Sequence, residues 1–134
     1  MINELLVCLL ELLRTQDPPR KPSLTFGERS VSMFLDTLAH ELDEPWTLEA
    51  MAERAGLKRT RFAHHCRKLT NLSPMTYLQH LRVEEAKRLL AKSDKSITEI
   101  AMRCGFASSA YFATVFRSRT KCAPGEFREA VKNG

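Results

Sequence analysis

The side chains with the greatest chemical reach in this sequence are cations gathered at two places. Residues 58–68 read Lys-Arg-Thr-Arg-Phe-Ala-His-His-Cys-Arg-Lys, and residues 117–121 read Arg-Ser-Arg-Thr-Lys. Guanidinium and ammonium groups at this density neutralise phosphates, and a guanidinium fork can also take both acceptors on a guanine edge. Bond-making chemistry asks for other groupings, and the sequence lacks them. It has no phosphate loop, no G-x-S-x-G, no H-E-x-x-H, no paired carboxylates and no nucleophile set beside a base. His64, His65 and Cys66 are adjacent. On a helix, successive side chains point about 100° apart, so the three cannot converge on one ion. The chemistry expected is therefore binding: not an enzyme, with no cofactor and no metal.

The charge distribution says what would be bound. The net charge is +5. Residues 1–45 hold 4 basic and 8 acidic side chains, whereas residues 46–134 hold 17 basic and 8 acidic ones. An acidic segment is thus joined to a strongly basic one, which points the basic part toward a polyanion, double-stranded DNA first among them. The longest apolar stretch, residues 5–13, is broken by Glu11. It falls well short of the about 20 residues that cross a bilayer. It also lacks the basic start and small-residue cleavage site of a signal peptide. No membrane association is expected, and a cytoplasmic location is. Cys8, Cys66, Cys104 and Cys122 contain no C-x-x-C pair and read as reduced, mostly buried thiols.

Helices must position the cations, since no strand signal interrupts the chain. Residues 2–14 have apolar positions on nearly every side of a helix, as if partners were needed on several faces. Residues 15–25 contain three of the six prolines and read as an extended linker. Val31, Phe34, Leu35, Leu38 and Leu42 share one helical face, with Asp43, Glu44 and Pro45 ending that helix. Thr47 caps the next, whose inner face is Leu48, Met51, Ala52 and Ala55 and whose stop is Gly56. A helix from about Arg59 to Leu69 places Phe62, Cys66 and Leu69 inward. Ser73-Pro74 starts a long helix reaching about Lys92. Its length is roughly 28 Å at about 1.5 Å per residue. Ser96-Ile97-Thr98-Glu99 has the spacing of a capping box. The helix it opens ends at Gly105, a further one carries Tyr111, Phe112 and Phe116, and a last short one follows Pro124.

The basic region repeats itself. At an offset of 49, Leu48, Met51, Ala52, Ala55 and Gly56 correspond to Ile97, Ile100, Ala101, Cys104 and Gly105. Beyond the glycine the offset is 50, and Phe62, Cys66, Arg67, Thr70, Pro74 and Tyr77 correspond to Phe112, Phe116, Arg117, Thr120, Pro124 and Phe127. Each unit is helix, glycine turn, helix, which is the helix-turn-helix pattern. The second helix of such a unit enters the major groove. Opposite the apolar side, the first unit presents Thr60, Ala63, His64 and Arg67, with Arg61 and Lys68 at the margins. Thr60, His64 and Arg67 suit base edges, and Lys58, Arg59 and Lys68 suit phosphates. The second unit presents Ser109, Ala110, Ala113, Thr114 and Arg117, a surface poor in hydrogen-bonding groups, with Arg117, Arg119 and Lys121 for phosphates.

These residues resemble the DNA-binding domain of AraC/XylS-type bacterial transcription regulators. The second unit carries most of the likeness: Ser96-Ile97-Thr98-Glu99-Ile100-Ala101, then Cys104-Gly105-Phe106, Tyr111-Phe112, Phe116-Arg117, and Ala123 through Arg128. Arg82, Ala86, Leu89 and Leu90 match the pattern of the family's linking helix. The likeness spans about 83 of the 134 residues. It implies an all-α fold of two helix-turn-helix subdomains joined by a long helix, with an extra N-terminal helix at 1–14, a linker at 15–25 and the bipartite domain at 26–134. It implies a sequence-specific transcription regulator, an activator, with RNA polymerase as a second partner and homodimerisation through an N-terminal domain. Residues 1–14 resemble the last helix of a sensor domain, so the chain reads as the C-terminal part of a longer regulator. The alternative is a stand-alone regulator whose first helix packs on its own domain or dimerises. Two departures stand out: Lys58 where the family often has a serine cap, and Cys66 where a phenylalanine is usual, so the first core should pack differently. A basic module that meets an acidic protein partner, without sequence-specific DNA binding, is the competing function.

Overall fold

The computed structural model describes residues 24–134, and the helix and linker expected over residues 1–23 lie outside them. Among the described residues there are seven helices and no strand. They are α1 (Phe26–Leu38), α2 (Leu48–Arg54), α3 (Arg59–Thr70), α4 (Pro74–Lys92), α5 (Ile97–Arg103), α6 (Ser109–Thr120) and α7 (Pro124–Asn133). None is long and apolar enough to cross a membrane.

Two cores form, and α4 serves both. Phe34, Leu38, Trp46, Met51, Phe62, Cys66 and Leu78 centre the first. Val83, Ala86, Leu90, Ile100, Cys104, Phe112 and Phe116 centre the second. Leu78 near the start of α4 thus belongs to one core and Leu90 near its end to the other. The first core does differ from the second. Cys66 is as fully buried as its counterpart Phe116 but much smaller, and the bulk comes from α1 and the segment after it. Phe34 meets Trp46 edge-on at 5.4 Å and Phe62 at 5.7 Å. The second core uses its own aromatic series, Phe106, Phe112, Phe116 and Phe127.

The repeat holds to the level of single atoms. Asn71 and Lys121 close α3 and α6 in the left-handed region, at φ of 67° and 71°. Their N–H groups donate to the carbonyls of Arg67 and Arg117, each at 2.8 Å. Thr70 and Thr120 turn their hydroxyls back to Cys66 O and Phe116 O, again at 2.8 Å each. Gly56 and Gly105 make the interhelical turns at φ of 78° and 90°.

Several local expectations need correction. The first helix stops at Leu38, not near Asp43. His40 and Glu41 donate to Thr37 and Leu38, three residues back, which tightens the chain out of the α-helix. Leu42 is buried from that turn instead. Leu69 is 37% exposed, because the inner side of α3 faces α1 through His65. Ser73 does not cap α4: its hydroxyl donates to Thr76 Oγ1 at 2.8 Å. At α5 only half the capping box forms. Ser96 accepts from Glu99 N at 3.0 Å, but the Glu99 carboxylate turns to Arg103 at 3.1 Å. A complete box forms where the linker was expected to end. Thr25 N donates to Glu28 Oε1 at 3.0 Å, and Glu28 N donates to Thr25 Oγ1 at 3.2 Å.

Candidate nucleic-acid interface

The outward face of α3 is built by what its inward face must do. Phe62 and Cys66 are fully buried. That burial leaves Arg59, Thr60, Arg61, His64, Arg67 and Lys68 exposed, with Ala63 half-buried between them and Lys58 exposed just ahead. Lys58 occupies the N-cap position without making a side-chain cap, so its ammonium stays on the surface. Two cations are partly committed to acids. Arg59 pairs with Glu49 at 3.1 Å, and Lys68 reaches Glu28 at 2.6 Å. The Lys68 contact holds the Glu28 carboxyl down to about 2, with the Thr25 N–H helping against the cost of burial. Lys68 thus braces α1 against α3. Among the described residues, the side chains of His64 and Arg67 make no hydrogen bond or ion pair, so both are free to reach outward.

His65, one residue on, behaves differently. Both of its ring nitrogens are buried without a hydrogen-bond partner. Burial, then the nearby charge of Arg61, pushes its pKa down, which favours the neutral ring. A Cβ on Gly27 would stand 2.8 Å from His65 Nε2, so the bare Gly27 lets α1 close onto α3. His64, His65 and Cys66 consequently point to solvent, to α1 and to the core.

In the second unit, Phe112, Val115 and Phe116 are buried. Ala110, Thr114 and Arg117 are exposed, and Ser109 and Ala113 are half-buried. Ser108 caps α6 by accepting from Tyr111 N at 3.0 Å. Thr114 lends its hydroxyl to Ala110 O at 3.2 Å, so its methyl is the more available group. Arg119 faces α4: its Nε donates to Gln79 Oε1 at 3.2 Å. Lys121 is exposed at the end of α6. The middle of the α6 outer face, at Ala110, Ala113 and Thr114, is thus smaller and richer in methyl groups than that of α3, with Arg117, Ser118 and Arg119 exposed toward its end.

Sequence reasoning did not assign the contacts of three residues that support these faces. Thr25 and Glu28 carry a visible signal, the T-x-x-E spacing ahead of an apolar run. Arg82 matches the linking-helix pattern, but its contacts carry no signal, because its partners are backbone carbonyls: its Nε donates to Leu42 O at 3.0 Å and its Nη2 to Glu44 O at 2.8 Å.

Comparison with known proteins agrees with this architecture. A family described as a helix-turn-helix domain matches residues 51–130. The HTH-type transcriptional activator RhaS of Escherichia fergusonii is 36% identical over 114 residues, covering 82% of this chain and 41% of that protein. The RhaS of Salmonella arizonae is 34% identical over 105 residues, covering 78% and 38%. The chain therefore spans about two fifths of the length of the curated relatives it matches. Among solved structures, the DNA-binding domain of the global transcriptional factor AdpA, determined in complex with a target DNA, superposes with a TM-score of 0.75 at 33% identity. That match covers 78% of this chain and 94% of the AdpA domain.

Proposed function

The chain belongs to the AraC/XylS-type helix-turn-helix family, and from that premise we propose that α3 and α6 are its two DNA-reading helices. In this reading Thr60, His64 and Arg67 meet base edges. Lys58, Arg59, Arg61 and Lys68 meet phosphates beside them, and Ala63 adds a methyl contact. On α6, Ser109, Ala110, Ala113 and Thr114 read by methyl contact and groove shape, while Arg117, Arg119 and Lys121 approach phosphates. Arg119 does so only by leaving or sharing its bond to Gln79. The two units would occupy successive major grooves, about 34 Å apart on one face of the duplex.

One observation carries this reading: the atom-level repeat of the two units presents a free His64 and Arg67 on one outward helix face and a methyl-rich surface on the other. Residues 26–134 are then one bipartite DNA-binding domain. The RhaS likeness supports activation of transcription, and RNA polymerase is the protein partner that the family resemblance implies. Selection from random duplexes followed by sequencing tests the core claim. A bipartite motif whose halves are separated by one helical turn is the expected result. Enrichment of no motif would leave a basic surface for an acidic protein in its place.

A further inference from the structure

The two glycine turns are equivalent in sequence but not in surroundings. Around Gly56 nothing would lie within 4 Å of an added Cβ. At Gly105 the same atom would stand 2.2 Å from Leu42 O and 2.8 Å from Arg82 Nε. Gly105 belongs to the second unit, whereas Leu42 is a core residue of the first. The bare α-carbon of one unit is therefore seated against a backbone carbonyl of the other. Arg82 holds that carbonyl in place from α4, donating Nε to it and Nη2 to Glu44 O. One turn earlier on α4, Gln79 accepts from Arg119 of α6 and approaches the Tyr111 hydroxyl at 3.4 Å.

A long helix alone leaves two packed bodies free to bend and twist about its middle. Here the middle of α4 is where a guanidinium, a carbonyl and a glycine meet. We propose that Arg82, Leu42 O and Gly105 form a joint that sets the separation and angle of α3 and α6. Arg82 is thus a positioning residue for DNA binding that touches no DNA itself. The consequence rests on the two-helix reading above. Each base pair inserted between the half-sites moves the far groove by about 3.4 Å and turns it by about 35°. A rigid joint refuses that displacement, and a loose one follows it.

The test has two arms, both on the full chain. In the first, residual dipolar couplings are measured by NMR without DNA. The unsubstituted protein should fit one alignment tensor across both units. Arg82→Met keeps the aliphatic stem but loses both donated bonds, and it should need two tensors. Gly105→Ala should as well, while Gly56→Ala, with the same left-handed strain in open space, should keep one. A single tensor for Arg82→Met overturns the joint, even if Gly105→Ala fails to fold. In the second arm, affinity is compared between the selected site and the same site with one base pair inserted. The unsubstituted protein should lose about tenfold or more, the scale of a lost base contact, and Arg82→Met less than about threefold. Equal losses in both proteins overturn the positioning role. If no site is selected at all, the DNA reading fails while the dipolar couplings still decide the joint.

Discussion

His64 and Arg67 stand one turn apart on α3 without side-chain hydrogen bonds or ion pairs among the described residues, whereas Arg59 and Lys68 spend part of their charge on Glu49 and Glu28. On the proposed reading, this difference separates readers of bases from holders of phosphate. His64→Ala or Arg67→Ala should relax selectivity at defined base pairs by about 1–3 kcal/mol in competition binding. A uniform loss on every sequence would make them phosphate contacts instead. Glu28 acts on stability. Its carboxyl titrates at about 2 in the fold against an ordinary value of 4.5. A lowered carboxyl favours the folded state above its unfolded pKa, and that support disappears as pH falls toward the folded one. Melting temperature should therefore decline between pH 4.5 and about 2 in the unsubstituted protein and decline less in Glu28→Gln. Parallel curves would remove the Lys68 contact as the cause. At this scale the outward residues are legible from the helical wheel. His65 and Arg82 are not, since a buried imidazole and a carbonyl-bound guanidinium leave no periodic trace.

Helix starts are the most legible elements. Pro74 fixes its own φ and needs no N–H partner at the first turn, so α4 begins where the residue types say it should. The glycine stops of α2 and α5 are equally plain, because the chain must turn left-handed there. The end of α1 is harder to read. Leu42 continues the apolar spacing of α1, yet it is buried from a turn whose shape depends on Arg82, 40 residues away. In the sequence, Thr25 follows directly on a proline-rich stretch, which obscures its capping role. Because Thr25 and Glu28 exchange both bonds, Thr25→Ala should cost about 1 kcal/mol, read as a lower denaturant midpoint with unchanged slope. No change would mean that packing on α3 alone holds the helix start. Both capping-box spacings are present in the sequence, but at α5 an arginine four residues on competes for the glutamate. Spacing alone cannot decide that competition.

Along the chain, the basic excess lies in residues 46–134, with clusters on α3 and at the end of α6, and the acidic excess lies in residues 1–45. Charge of this kind binds by releasing counterions. The logarithm of affinity should fall linearly with the logarithm of salt concentration, at about −0.9 per phosphate neutralised. Salt-independent binding would exclude the mechanism, and removing a proposed phosphate contact such as Lys58 should reduce the slope by about one. The repeat itself has a final consequence. The two units grew alike in backbone, down to matching threonine hydroxyls and left-handed caps, but their outward helices carry different side chains. They also sit on one chain in a set order, so the molecule cannot exchange one half for the other as a symmetric dimer does. A site read by it has a head and a tail. Turned end for end, the same base pairs meet the wrong helices, and a neighbouring promoter would see the protein from only one side.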